Sequence, residues 1–390
     1  MHLNFDLVVD QNIRGRIYPA LARWPAEPYT QAWREFEQHW PYTVPLRLQE
    51  YCDWHHASMT LHSVDEYPLG SLYSIALGWF GFEIDYFELL PDTVFDAVQS
   101  GQLRIVFYYH EGDNPAAIKA RLDSLAEYWK LPSQCYVFVS GNSAARHLPQ
   151  FVYFADFALW YWQRNRTQPA LRFNPEARSR DFSVLVRLHR DWRMLAMADL
   201  YQQGTLSNSY WSYCETGDFD VTNCPIELHT VNVNIAEFQK QLPVYSDNLS
   251  QDERNNHSHL EAKYYEDAYF SIVLETHFDA DGSGGAFVTE KTFKPIKHAQ
   301  PFFIAGPAGS LQVLRDLGYR TFDSVLDNSY DTIQDNTQRW LALRASIESA
   351  RARGLHDLAQ QCRRDCEHNQ QLFLSSKQNR LSNLHKQLYE

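Results

Sequence analysis

Beyond residue 100, short apolar runs alternate with stretches of helical spacing. "LRIVFYYH" (103–110) is a β-branched and aromatic run that ends at an "EGDNP" loop. "AAIKARLDSLAEYWKL" follows with helical spacing, and "QCYVFVSGN" (134–142) is a second short apolar run. Strand, loop, helix and strand in that order predict a βαβ unit with its loops on one edge. After a polar linker at 163–180 the pattern restarts. "DFSVLVRL" reads as a strand and "DWRMLAMADLYQQG" as a helix closed by Gly204. "NSYWSYCE" reads as a further strand, "YFSIVLET" (269–276) as another, "TEKTFKPIKHA" as a helix, "QPFFIAG" as a strand and "GSLQVLRDLG" as a helix capped by Gly318. "YRTF" reads as a last strand, and the charged segment from about 333 to 390 as helical. Residues 1–100 resist this treatment. "LGSLYSIALGWFGFEI" suits a buried helix or a strand equally.

Such alternation predicts an α/β protein with mostly parallel sheets covered by helices. The expected division is 1–170 as an acceptor-side α/β domain, 171–335 as a second α/β domain and 336–390 as a helical tail. In such sheets ligands bind at strand carboxyl ends, beside helix N-termini. Two halves facing across a cleft would place a substrate between them.

Composition narrows the partners. The formal net charge of −13 argues against a nucleic-acid partner, which needs a basic surface, and leaves room for a local pocket for one small anion. The 11 Trp and 23 Tyr suit large cores first and sugar or base stacking second. Six cysteines without framework spacing read as free thiols in a reducing compartment. The N-terminal "MHLNFDLVVDQN" has no secretory-signal pattern, and no apolar run is long enough to span a membrane. A cytoplasmic location is expected, with peripheral membrane contact left open.

Four constellations could carry chemistry. In "FVTEKTFKPIKHAQPFFIAGP", Thr289 stands at a helix N-cap position and Glu290 in the first turn, followed by Lys291, Lys294 and Lys297. Glu290, Lys294 and Lys297 share a face, which also suits a solvated Glu–Lys pair. Pro295 inside that helix speaks against plain surface decoration. "VRLHRDWR" brings Arg187, Arg190 and Arg193 to a strand-to-helix loop, as a diphosphate-holding cluster or equally a solvated basic turn. Glu275 ends a strand at the ligand edge, as a loop cap or a site acid. "HEGDNP" supplies His110, Glu111 and Asp113, with Glu111 the favoured general base. Weaker signals are the Asp279–Asp281 pair in a Gly-rich loop, and His257 with His259, which lack further ligands at metal spacing.

"FSIVLET", "FVTEKTFKPIKHAQPFFIAGP" and "VLVRLHRDWRMLAMADLYQQG" together resemble the donor-binding half of fucosyltransferase-type glycosyltransferases, over about residues 181–325. The resemblance implies a GT-B fold of two Rossmann-like domains. The second would hold a nucleotide-sugar as co-substrate, GDP-fucose or another GDP-sugar being favoured, without a further cofactor or metal. It implies that Arg187 or Arg190, with Lys294, holds the diphosphate, and that Glu290 beside Lys291 contacts the ribose or donor sugar. A first-domain carboxylate, placed here at Glu111, would activate the acceptor hydroxyl of a glycan or glycolipid for inverting transfer, as in polysaccharide biosynthesis. His189 and Trp192 depart from the family's usual proline and histidine. Two rival readings stay open: a metal-dependent sugar transferase using Asp279 and Asp281, and a non-catalytic nucleotide-sugar or glycan-binding protein.

Overall fold

The computed structural model describes residues 3–13, 15–16, 45–54, 57–77, 84–109, 111–165, 167–246, 261–279, 285–375 and 377–390. The chain divides into two compact units, Met1–Leu159 with Lys377–Glu390, and Trp160–Ser376.

In the first unit six strands form one sheet: β1 (Asn4–Val8), β2 (Ser58–His62), β3 (Leu72–Ala76), β4 (Arg104–Tyr109), β5 (Tyr136–Ser140) and β6 (Phe151–Tyr153). The order is β2-β1-β3-β4-β5-β6, and every pairing is parallel. In register, Ile105 lies opposite Tyr136 and Tyr109 opposite Ser140. All five residues of β3 and of β5 are buried, as a sheet covered on both faces requires. The helix Pro115–Tyr128 joins β4 to β5. Proline fits its first turn, and the Asn114 side chain accepts hydrogen bonds from the Ala116 and Ala117 amides at 2.9 and 3.2 Å. Phe138 stacks on Phe151 at 4.9 Å within the core.

Three of these six strands lie in the first hundred residues, where the pattern is unreadable. β2 is an edge strand with Thr60 exposed, and β1 alternates imperfectly, so neither shows a clean apolar run. The last helix, Lys377–Tyr389, also belongs to this unit. The Tyr389 hydroxyl donates to the Asp6 carbonyl at 3.1 Å, and the His385 and Tyr389 rings pack on Phe5. Those contacts bring the far end of the chain onto β1, so the helical tail does not stand as one separate piece.

The second unit holds β7 (Arg180–Val186), β8 (Tyr210–Tyr213), β9 (Ala268–Leu274) and β10 (Phe302–Ala305), all parallel, in the order β10-β9-β7-β8. The α/β class, the two parallel-sheet units and the helical C-terminal segment expected from the sequence are therefore present.

The helix Asp191–Gln202 is buried from Trp192 through Leu200, so it is a core helix rather than an amphipathic one. It is followed by Gly204 at φ +71°. Asp199 on this helix is fully buried and accepts from Trp340 Nε1 at 2.7 Å and from Arg344 Nη1 at 3.0 and 3.1 Å. Both partners sit on the helix Asn336–Arg353. Removing the carboxylate strands a buried indole N–H and a partly buried guanidinium. Asp199→Ala is expected to lower unfolding stability by about 3 kcal/mol in urea denaturation; a loss under about 1 kcal/mol would show that this tie does not hold the two helices together.

One expected strand is absent. "YRTF" (319–322) is irregular, with Phe322 at φ +64°. The Asn369 side chain satisfies this backbone from the helix Leu355–Ser375, accepting from the Arg320 amide at 2.7 Å and donating to its carbonyl at 2.8 Å. A side chain thus takes the place of a strand neighbour. All six cysteines are free thiols. No helix among the described residues is long and apolar enough to cross a membrane.

Candidate functional site

The second sheet reverses direction of growth between β7 and β9, the position at which open parallel sheets form a crevice at their carboxyl ends. Arg187 follows β7 there and Glu275 follows β9.

Glu275 has no exposed surface. Its Oε1 accepts from the Thr289 amide at 3.1 Å and from Thr292 Oγ1 at 2.6 Å. Its Oε2 accepts from Thr289 Oγ1 at 2.6 Å and from the Thr276 amide at 3.3 Å. The carboxylate therefore caps the helix Glu290–Lys297. Thr289 holds the N-cap position in extended conformation but makes no capping bond of its own. Of the two readings left open for Glu275, this bonding fits the cap: both oxygens accept inside the protein, where a helix N-terminus favours an anion.

The expectation for Arg193 is corrected. It is 3% exposed and lies inside the helix after β7. It donates through Nε and Nη2 to the Glu275 carbonyl at 3.1 and 2.6 Å, and through Nη1 to the Leu188 carbonyl at 3.3 Å. Burial, with Arg190 nearby, pulls its pKa down to about 10. It is a strut between the ends of β7 and β9, not a phosphate ligand. Arg190 is exposed at the N-cap of that helix, and Arg187 is half-buried.

The Glu290–Lys297 helix carries the remaining cations. Glu290 is 4% exposed. Lys291 Nζ donates to Thr276 Oγ1 and Thr289 Oγ1, both at 3.0 Å, and to Glu290 Oε1 at 3.2 Å. Its three protons meet three acceptors, so it offers an incoming anion charge rather than a spare donor. Lys294 differs. Among the described residues its ammonium has no hydrogen-bond or ion-pair partner. It keeps some exposed surface, yet the surrounding protein desolvates its ammonium and pulls its pKa down to about 8. Glu290 opposes that shift, while Lys291 and Arg187 reinforce it. Arg187, Glu290 and Lys291 thus all act electrostatically on Lys294.

Lys297 shares the helical face in the 100° register but not the environment. It is 3% exposed and donates to the Asn165 carbonyl at 2.9 Å; burial lowers its pKa to about 8. Beside it, His298 accepts from the Leu171 amide at 3.2 Å and stacks on Tyr265, and burial pushes its pKa down to about 3. Pro295 lies in the last turn, where its missing N–H removes one bond only.

In the first unit Glu111 is half-buried after β4, and its carbonyl accepts from the Gly141 amide at 3.1 Å. Asp113 accepts from the Tyr109 hydroxyl; His110 lies outside the described residues. A buried cluster at the same sheet edge escaped sequence reasoning. Asp156, 2% exposed, accepts from Arg47, from Tyr51 at 2.9 Å and from Tyr108 at 2.8 Å. Burial is the largest single influence and works against the Arg47 charge, but Asp156, Tyr51 and, least, Glu111 together outweigh it and hold the guanidinium above its usual range. The only signal was an acid inside the aromatic run "FVYFADFALWYW", since Arg47 and Asp156 are far apart in sequence.

Asp279 is half-exposed and Asp281 lies outside the described residues, as do His257 and His259. Among the described residues no group of three or more His, Cys, Asp or Glu side chains could hold a metal ion. Two open cavities, of about 500 and 490 Å³, are lined by Asp181, Tyr269 and Arg351, and by Arg104, Tyr136 and Gln150. Both lie at strand amino ends or edges, away from the residues at the strand carboxyl ends.

Fold and site together define an α/β protein of two parallel-sheet units, the second of which gathers cations, a buried glutamate and threonine hydroxyls at its carboxyl edge. No protein-family model matches the chain, and no curated protein does. Solved structures with a loose likeness include the DNA-modifying enzyme β-glucosyltransferase, with and without uridine diphosphoglucose, at 9% identity and a TM-score of 0.37, covering 100% of this chain and 99% of that one. A mutant of the T4 phage enzyme BGT in complex with UDP-glucose matches at 7% identity and a TM-score of 0.36, covering 91% and 95%. A glycosyltransferase from Rickettsia africae ESF-5 matches at 10% identity and a TM-score of 0.31, covering 97% and 81%. Scores this low align no individual residues, so the chemistry of the site rests on the side chains of this chain.

Proposed function

We propose that the protein is an inverting, metal-independent glycosyltransferase that binds a nucleoside-diphosphate sugar at the carboxyl edge of its second sheet. The observation that carries this reading is Lys294, a desolvated ammonium without a protein partner among the described residues, within the fields of Arg187, Lys291 and the buried Glu290. A partly desolvated ammonium without a hydrogen-bonded counter-ion gains from an anion that reaches its exposed side. In this reading Lys294, with Arg187 and Arg190, takes the diphosphate, Lys291 adds charge, and Glu290 accepts hydroxyls of the ribose or sugar. These cations stabilise the negative charge that grows on the leaving diphosphate.

The donor is a GDP-sugar such as GDP-fucose, as the sequence resemblance suggests. Glu111 is the base: it removes the proton of the acceptor hydroxyl as that oxygen bonds to the anomeric carbon and the bond to the diphosphate breaks. The net charge of −13 disfavours a polyanionic acceptor, so the acceptor class is a glycan or glycolipid hydroxyl.

A thermal-shift panel of GDP, UDP, ADP and their sugar conjugates tests the binding half. A ligand at about a hundred times its Kd adds about 2.7 kcal/mol to stability, which raises the melting point by several degrees. GDP and GDP-sugars are expected to do so most strongly. If every nucleotide at millimolar concentration leaves the melting point unchanged, the reading is wrong; if UDP alone raises it, the donor assignment is wrong. Activity that vanishes with EDTA and returns with Mn²⁺ would replace the metal-independent mechanism.

A further inference from the structure

The helix start beside Lys294 contains a bonding chain that the donor site alone does not call for. A threonine hydroxyl has one proton and two lone pairs. Thr289 Oγ1 commits its proton to Glu275 Oε2 at 2.6 Å, a short bond because the acceptor is charged. With the proton so directed, the lone pairs of the same oxygen face Lys291 Nζ, which donates to it at 3.0 Å. Thr276 adds a second, separate hold: its amide donates to Glu275 Oε2 at 3.3 Å, while its hydroxyl accepts from Lys291 at 3.0 Å. Thr292 donates to the other carboxylate oxygen, so Glu275 cannot turn away.

We infer that Glu275 is a positioning residue which, through the Thr289 hydroxyl, holds the Lys291 ammonium at the edge where the diphosphate binds. It touches no ligand itself. The inference rests on reading that edge as an anion site, but the hold on Lys291 exists without ligand and can be measured without one. The carboxylate fixes the direction of the hydroxyl proton, the hydroxyl fixes the ammonium, and the charge stays in place before the anion arrives. Such preorganisation removes the entropy loss of ordering a long side chain on binding.

Two measurements on the full-length protein test this. The first is the acetylation rate of Lys291 relative to Lys294, followed by mass spectrometry without ligand. The second is the affinity for inorganic pyrophosphate by calorimetry. Thr289→Val removes the hydroxyl at nearly constant volume, and Thr289→Ser returns it. In Thr289→Val, Lys291 is expected to acetylate about tenfold faster relative to Lys294 and pyrophosphate to bind about tenfold more weakly; Thr289→Ser restores both. An unchanged Lys291 rate in folded Thr289→Val overturns the inference, even if pyrophosphate binds. A faster rate in a protein that binds neither pyrophosphate nor GDP supports the positioning role and refutes the donor site. If Thr289→Val does not fold, Thr289→Ala removes the same hydroxyl with a smaller side chain; Lys291 should again acetylate about tenfold faster, and no change overturns the inference.

Discussion

Lys294→Met is expected to weaken GDP binding about a hundredfold, because truncating one member of a desolvated, charge-assisted contact removes several times the free energy of an exposed ion pair. The pH dependence gives a second, sharper result. An anion binds the protonated ammonium, and the free protein holds that group at a pKa near 8 through burial. Below about pH 7 the ammonium is already charged, so its own titration adds no pH dependence there. As pH rises through 8 the free protein loses the proton that the complex needs, and Kd should climb toward tenfold per unit. The bound diphosphate raises the pKa of the same group, so the complex takes up protons in this window. Calorimetry between pH 7 and 9 reads both effects, the proton uptake through its dependence on buffer ionisation enthalpy. In Lys294→Met the slope should vanish. A wild-type affinity that does not change from pH 7 to 9 would show that Lys294 is not the group that meets the anion.

Glu111→Gln is expected to lower turnover about a thousandfold, within the range for loss of a general base, while GDP binding stays within about twofold. The amide keeps the shape of the side chain and cannot take a proton. The charge of Glu111 is felt at both Arg47 and Tyr109, so it belongs to the electrostatic neighbourhood of the Asp156 cluster. Turnover is measured as GDP release from a GDP-sugar with an acceptor panel, and binding by calorimetry on the same preparations. Normal turnover in Glu111→Gln would move the base elsewhere without touching the donor site. A parallel loss of GDP affinity would show that Glu111 acts on binding and not on the proton.

Legibility along the chain followed the contrast between neighbouring segments. β4, β5, β7, β9 and β10 were visible because each is an apolar run closed by a turn or a helix cap, and a strand buried on both faces must look like that. β1 and β2 were not, since their partly exposed positions blur the run. "YRTF" has strand composition, yet Asn369 claims its backbone, a partner that no local pattern announces. Among the proposed site residues, Glu290, Lys291 and Lys294 stand out in the sequence through the Thr-Glu-Lys pattern, and Arg187 through its place after a strand. Arg193, a little further along the same segment, has the same residue type and a different fate: it turns inward and holds two carbonyls. Arg47, Tyr51 and Tyr108 were missed because each is ordinary until Asp156 gathers them.

The sequence by itself determined the order of elements, the parallel pairing that this order demands, and the segment in which cations collect. Those come from local periodicity and chain connectivity. The tertiary structure alone decided which ionic groups are satisfied and which are left over. Glu275 follows β9 and Arg193 lies in the helix after β7, and the hydrogen bonds of both close within the protein. Lys294 and Lys297 occupy one helical face, and of the two only Lys294 is left without a partner among the described residues. The reason is physical: the partner of a buried charge is chosen by distance in space, and helical register says which way a side chain leaves the backbone but not what waits for it there.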